Sequence, residues 1–139
     1  MDRSESAECR QVQAGATFVG KQGLTYAVGI SAETVGAKAI HMQLVTIPPG
    51  ARAKAHMHEA HETAIYALSG TSHVWHGPQL EYHSVVAPGD FFYIPAGVPH
   101  LPYNPSAEVV TALIARTDPN EQESVVLLPD LEGLARERD

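Results

Sequence analysis

At 139 residues the chain is long enough to bury about two thirds of the surface that its unfolded form exposes, so a hydrophobic core is available without disulfide staples. Its 44% hydrophobic content contains no apolar run near the ~18 residues of a membrane span, which argues against a helical membrane protein. Sixteen acidic residues against nine basic ones, a formal charge of −7, disfavour a nucleic-acid partner and leave a small molecule or another protein.

The N-terminal stretch "MDRSESAECR" is polar and charged, without an apolar centre after a basic start. It predicts no secretory signal and a cytoplasmic location. The single cysteine, Cys9, has no internal disulfide partner. Residues 1–11 offer neither periodicity nor bulky apolar side chains and are expected to form a flexible lead-in. From residue 12 to 139 turn residues and short apolar stretches alternate, as expected for one domain. "ATFVG", "LTYAVGI", "AIHMQLVTI", "AKAHMH", "TAIYALSG", "SHVWHG", "EYHSVV", "DFFYIPAG" and "VVTALIART" are all of strand length. Gly and Pro punctuate them at "KQG", "PPGA", "GPQ", "APGD" and "NPSAE". Nine short strands with no long helix predict an all-β, antiparallel sandwich or barrel. The tail from Asp118 leaves room for a terminal strand and a short helical turn.

The chemistry is concentrated in "AHMHEAHETAIYALSG", Ala55 to Gly70. Side chains alternate across a strand, so His56 and His58 fall on one face and offer two adjacent imidazole ligands to a divalent transition metal. Two spacings stand out in order. From Gly50 there are five residues to His56 and one more to His58, then Glu62 and Gly70. From Gly89 the chain reads "GDFFYIPAGVPHLPYN", with Pro95, Gly97, His100 and Asn104 at fixed intervals. These residues resemble the two motifs of the cupin superfamily, over about Thr46 to Ala115. The resemblance implies a small antiparallel jelly-roll barrel. It also implies a metal held inside by two histidines and a carboxylate of the first motif and one histidine of the second, here His56, His58, Glu62 and His100. The metal would be Fe, Mn, Ni, Cu or Zn, one per chain.

The first motif departs from the pattern in its middle. Seven residues rather than six separate Glu62 from Gly70, and counting back six places Thr63, a poor ligand, at the usual carboxylate position. Glu62 is the expected ligand if the loop carries an extra residue or a bulge that turns it inward. His61 is its rival, which would make a four-histidine site suited to softer metals, and three histidines with water is the remaining arrangement. Arg52 and Lys54 share parity with His56; if the strand begins by Arg52 they bring cations to the mouth and favour an anionic substrate, and otherwise they are solvated charges on the loop after "IPPG". His76 is either an exposed turn histidine before Gly77 or a candidate for assisting the metal ligands or for acid–base work, and Asn104 is a candidate for fixing a loop by hydrogen bonding. The expected function is a mononuclear metalloenzyme for a small organic acid or sugar derivative, dioxygenase chemistry first and isomerase or lyase chemistry next. The other reading is a barrel that binds and senses or sequesters a small ligand without catalysis. A homodimer is expected, since sheet edges of so small a barrel are commonly covered.

Overall fold

The computed structural model describes residues 7–122 and 124–138. Of the expected lead-in, residues 1–6 therefore lie outside the described residues, and residues 7–11 are exposed and carry no strand. The strands follow the alternation of turn and apolar stretch: β1 (Phe18–Val19), β2 (Thr25–Ile30), β3 (His41–Ile47), β4 (His56–His58), β5 (Thr63–Ser69), β6 (Ser72–His76), β7 (Tyr82–Val86), β8 (Phe91–Ile94), β9 (His100–Tyr103), β10 (Val110–Arg116) and β11 (Val125–Leu127). Two helices are α1 (Ala32–Val35) and α2 (Pro129–Arg138).

The strands form two antiparallel sheets that face each other as a jelly-roll barrel. One has the order β1-β2-β3-β10-β5-β8, the other β11-β4-β9-β6-β7. No hydrogen-bonded ladder joins the two sheets among the described residues, so the barrel is a sandwich with a cavity between its layers. Period-2 burial shows the inner face of the first sheet. In β3, His41, Gln43, Val45 and Ile47 are buried and the residues between them are not. Leu24, Tyr26, Val45, Ile47, Val110 and Ala112 form the main apolar cluster at one end of the cavity. A second cluster lies on the back of the other sheet, where Ala135 of α2 packs with Ala55, Leu80 and Leu101.

One expected stretch is shorter than predicted and one strand is additional. β4 is only His56–His58, because residues 53–55 leave the strand: Lys54 N–H donates to the Gln22 carbonyl and Ala55 N–H to Glu132 Oε1 at 2.7 Å each. β9 was absent from the nine expected stretches, since Pro102 interrupts it and proline removes a ladder donor. The structure tolerates Pro102 because its carbonyl, and hence its missing N–H, faces Ala53, where β4 has already given way to a loop.

The two motifs are tied together by backbone bonds at both ends. Gly97, at φ 77°, donates its N–H to the His58 carbonyl at 2.7 Å. That left-handed conformation favours glycine and turns the amide toward the other motif. At the far end Gly50 N–H donates to the Asn104 carbonyl at 2.8 Å, and Asn104 N–H returns a bond to Ala51 at 2.9 Å. The Asn104 side chain, 1% exposed, donates to the carbonyls of Ile47 and Glu108 and accepts from Ser106 N–H and Oγ–H. Replacing it by alanine strands buried backbone groups, so Asn104→Ala is expected to cost about 2–3 kcal/mol. Urea unfolding should show a lower midpoint at unchanged slope.

Candidate metal centre

Antiparallel pairing sets His56 of β4 directly opposite His100 of β9, and side chains opposite each other share a face. His58 lies two residues on, on that same face. The ring donor atoms of His56, His58 and His100 all fall within 4.8 Å of one another, and all three rings are buried. Ring centroids are 4.2 Å apart for His56 and His100, and 5.2 and 5.1 Å from His58 to each.

Second partners fix the tautomers of two rings. His56 Nδ1 lies 2.6 Å from the Lys54 carbonyl and His100 Nδ1 lies 3.0 Å from the Val98 carbonyl. A carbonyl accepts only, so Nδ1 carries the proton and the Nε2 lone pair is left for a ligand role. Burial holds the rings neutral. It lowers His56 to about 4, against an opposing pull from the Lys54 carbonyl. Burial lowers His58 to about 3, helped by the neighbouring His100, His61 and Arg116. His100 is driven well below the usual imidazole range, again chiefly by burial. Three neutral imidazoles, each keeping one ring nitrogen unprotonated, are a donor set that fits a divalent transition metal.

The cavity beside them encloses about 70 Å³ and is lined mainly by aliphatic side chains, among them Val45, Ile47, Ile65, Val74 and Ile114. Its polar lining besides the histidines includes Gln22, Tyr26, Gln43, Thr63, Ser72 and Arg116.

Glu62 is not with the triad. Its carboxylate accepts from Tyr93 Oη–H at 2.6 Å on the exposed outer face, and its backbone N–H donates to Thr117 Oγ1. That hydrogen bond also raises the Tyr93 phenol above its ordinary range. The expected inward turn at Glu62 fails because β5 begins at Thr63, which pairs with Arg116 and faces the cavity. The bulge in this strand falls further along, at Leu68, where Ser69 pairs with Thr111 and Ala67 with Ala112. His61 is buried, with its ring centroid 4.6 Å from that of His58 and Nδ1 3.9 Å from Asp118, but it does not line the cavity or join the close triad.

Arg52 and Lys54 are also placed elsewhere. Shared parity with His56 required a continuous strand, and the chain there is a loop. The Arg52 guanidinium lies 5.9 Å from the Tyr103 ring centroid, and Lys54 is exposed; neither lines the cavity. His76 sits across from His100 in the β6–β9 pair and places Nε2 2.9 Å from Ser84 Oγ. Burial lowers it, against the pull of Glu81.

Arg116 escaped the sequence reading. The signal was present: Val110, Ala112, Ile114 and Arg116 share parity, so a cation ends the inward face of a core strand. Its side chain is 4% exposed and donates to the carbonyls of Asp118 and Asn120.

The cupin domain pattern matches residues 43–115, just over half of the chain, and the chain belongs to the cupin family. In fold it is similar to the oxalate decarboxylase of Bacillus subtilis, with a TM-score of 0.65 at 22% identity, covering 79% of this chain and 29% of that one. It is also similar to a recombinant oxalate oxidase in complex with glycolate, with a TM-score of 0.69 at 17% identity, covering 91% of this chain and 68% of that one. A protein of Acidithiobacillus ferrooxidans, provisionally assigned as a sugar phosphate isomerase, aligns with a TM-score of 0.61 at 22% identity over 84% of this chain and 86% of that one. At these identities the likeness is one of fold. No curated protein matches the chain by sequence.

Two outcomes follow from this geometry. Because Glu62 faces outward, Glu62→Gln should leave metal content unchanged by elemental analysis and return the Tyr93 phenol toward its ordinary titration range by ultraviolet absorbance. The histidines make the metal-free fold acid-sensitive. Unfolded imidazoles take a proton near 6.5, whereas His56 and His58 in the fold resist until about 4 and about 3. Below 6.5 the unfolded state binds more protons, so this stability is fully present above 6.5 and is lost as pH falls toward the folded values. Urea midpoints of chelator-treated protein should therefore be lower at about pH 5 than at about pH 7.

Proposed function

We propose that this cupin is a metal-dependent enzyme acting on a small molecule bound in the barrel cavity. The observation that carries this reading is the convergence of His56, His58 and His100 donor atoms within 4.8 Å at the cavity wall. These residues would hold one divalent transition ion, Fe, Mn, Ni, Cu or Zn. Among the neighbours in fold, the Bacillus subtilis oxalate decarboxylase carries Mn(II) centres. The ion, when bound, supplies a Lewis-acid centre for substrate oxygens and, if it is iron or copper, a site of O2 activation.

The chain's own residues prepare that site. The carbonyls of Lys54 and Val98 lock two imidazoles in the ligand tautomer. Aliphatic residues from both sheets exclude water, which strengthens electrostatic interactions inside. His41 Nε2 lies 3.0 Å from Gln43 Oε1 and orients the Gln43 carboxamide at the cavity wall. Dioxygenase chemistry is the leading version, isomerase or lyase chemistry the next. The aliphatic share of the lining favours a second reading, a barrel that binds and senses or sequesters a small ligand. The reading includes a homodimer, in which a second copy covers the edge strands β7 and β8; there Phe91 is 81% and Tyr93 57% exposed.

Elemental analysis of protein purified without an affinity tag is the test of the metal. The wild type should carry about one divalent ion per chain. The double variant His56→Ala, His100→Ala should carry none while keeping its far-ultraviolet circular dichroism. Equal metal content in the two proteins would overturn the reading. Oxygen uptake across carboxylic and phenolic substrates then separates the enzyme from the ligand-binding barrel.

A further inference from the structure

The inner face of the first sheet is polar at one end only. Register aligns His41 with Arg116 and Arg116 with Thr63, so the three share one row across β3, β10 and β5. Gln43, opposite Ile114, stands one inward step further along. Beyond it the face turns apolar through Val45, Ala112 and Ile47. Arg116 and Thr63 line the same cavity as the imidazole triad, and the charge of Arg116 reaches His58.

The triad donates three neutral nitrogens and no charge, so a divalent ion held there keeps its full charge inside a low-dielectric barrel. Among the described residues that line this cavity there is no aspartate or glutamate. Thr63 stands where the resemblance implies a carboxylate, and it leaves open the volume that a longer side chain would fill. Directly beside that volume the chain places the Arg116 guanidinium, fixed in position by its donation to the Asp118 and Asn120 carbonyls, which brings a permanent positive charge to the cavity wall.

Resting on the metal reading above, we infer that the missing negative charge is brought by the substrate, a small carboxylate anion that the metal and Arg116 bind together in the space left by Thr63. Arg116 is the specificity-determining residue of this site, in place of Arg52 and Lys54. The cavity volume of about 70 Å³ has room for a small anion. Gln43 borders the same volume and adds a polar contact.

The test uses acetate and acetamide, which have nearly the same shape and differ in charge. Full-length protein is loaded with Co2+ and titrated with each, binding being read from the visible absorption of the metal. Acetate should bind at least about tenfold more tightly than acetamide, roughly 1.4 kcal/mol. Arg116→Gln should lose at least about tenfold in acetate affinity with metal content unchanged. Thr63→Glu, which restores a carboxylate in the cavity, should keep the metal and abolish the acetate response. Equal affinities for acetate and acetamide in the metal-loaded wild type would overturn the inference and leave the metal reading standing. Failure to bind metal would overturn both. The comparison on the wild type needs no variant and decides the preference for a carboxylate, while unchanged acetate affinity in metal-loaded Arg116→Gln or Arg116→Lys would overturn the role of Arg116.

Discussion

The pairing of one residue with one other, His56 with His100, is the constraint on which the site depends. β4 has only three residues and cannot fix its own register by length. Its pairing with β11 and two backbone bonds between the motifs fix it, Gly97 to the His58 carbonyl at one end and Gly50 to the Asn104 carbonyl at the other. Because side chains repeat every two residues, a slip of one position would turn both His56 and His58 to the back of the sheet, toward the α2 cluster. The left-handed turn at Gly97 therefore contributes to ligand geometry although its residue touches nothing in the cavity.

Burial has two consequences for these histidines. It removes water from the imidazoles and so keeps them neutral, which is the protonation state a metal requires. It also removes the solvent that would otherwise screen the charge of an ion held there, so the identity of every other group at the cavity wall matters more than at a surface. A carboxylate ligand would offset part of that charge within the protein. With Thr63 at the wall and Glu62 on the outside, that offset is moved to whatever occupies the cavity. The chain thus combines the scaffold of the cupin family with a cavity wall that carries Thr63 and Arg116 and no carboxylate among its described lining residues.

The outer surface follows different rules. α2 covers the middle of the second sheet with Leu131 and Ala135, supported by Glu132, which accepts from Ala55 N–H next to the start of β4. Helix α2 is thereby connected to the strand that carries His56 and His58, since Ala55 immediately precedes His56. The edge strands β7 and β8 carry exposed aromatic and aliphatic groups, and there Tyr93 holds Glu62 away from the interior.

Much of this was legible in the sequence. Strand-length stretches, their turn glycines and the common face of His56 and His58 follow from backbone stereochemistry within a few residues, which any extended chain obeys. Even Arg116 could have been read from the parity of Val110, Ala112 and Ile114. Parity, however, holds only inside an unbroken strand. The loops before His56 and before Thr63 reset it, which is why Arg52, Lys54 and Glu62 were expected inside and stand outside. The sequence by itself determined the class of fold and a pair of imidazoles on one face. The resemblance of the second motif already implied His100 as their partner, and only the tertiary structure decided how near its ring lies to the other two and that Thr63 and Arg116 form the opposite wall, because those distances are set by strand pairing across the sheets and not by spacing along the chain.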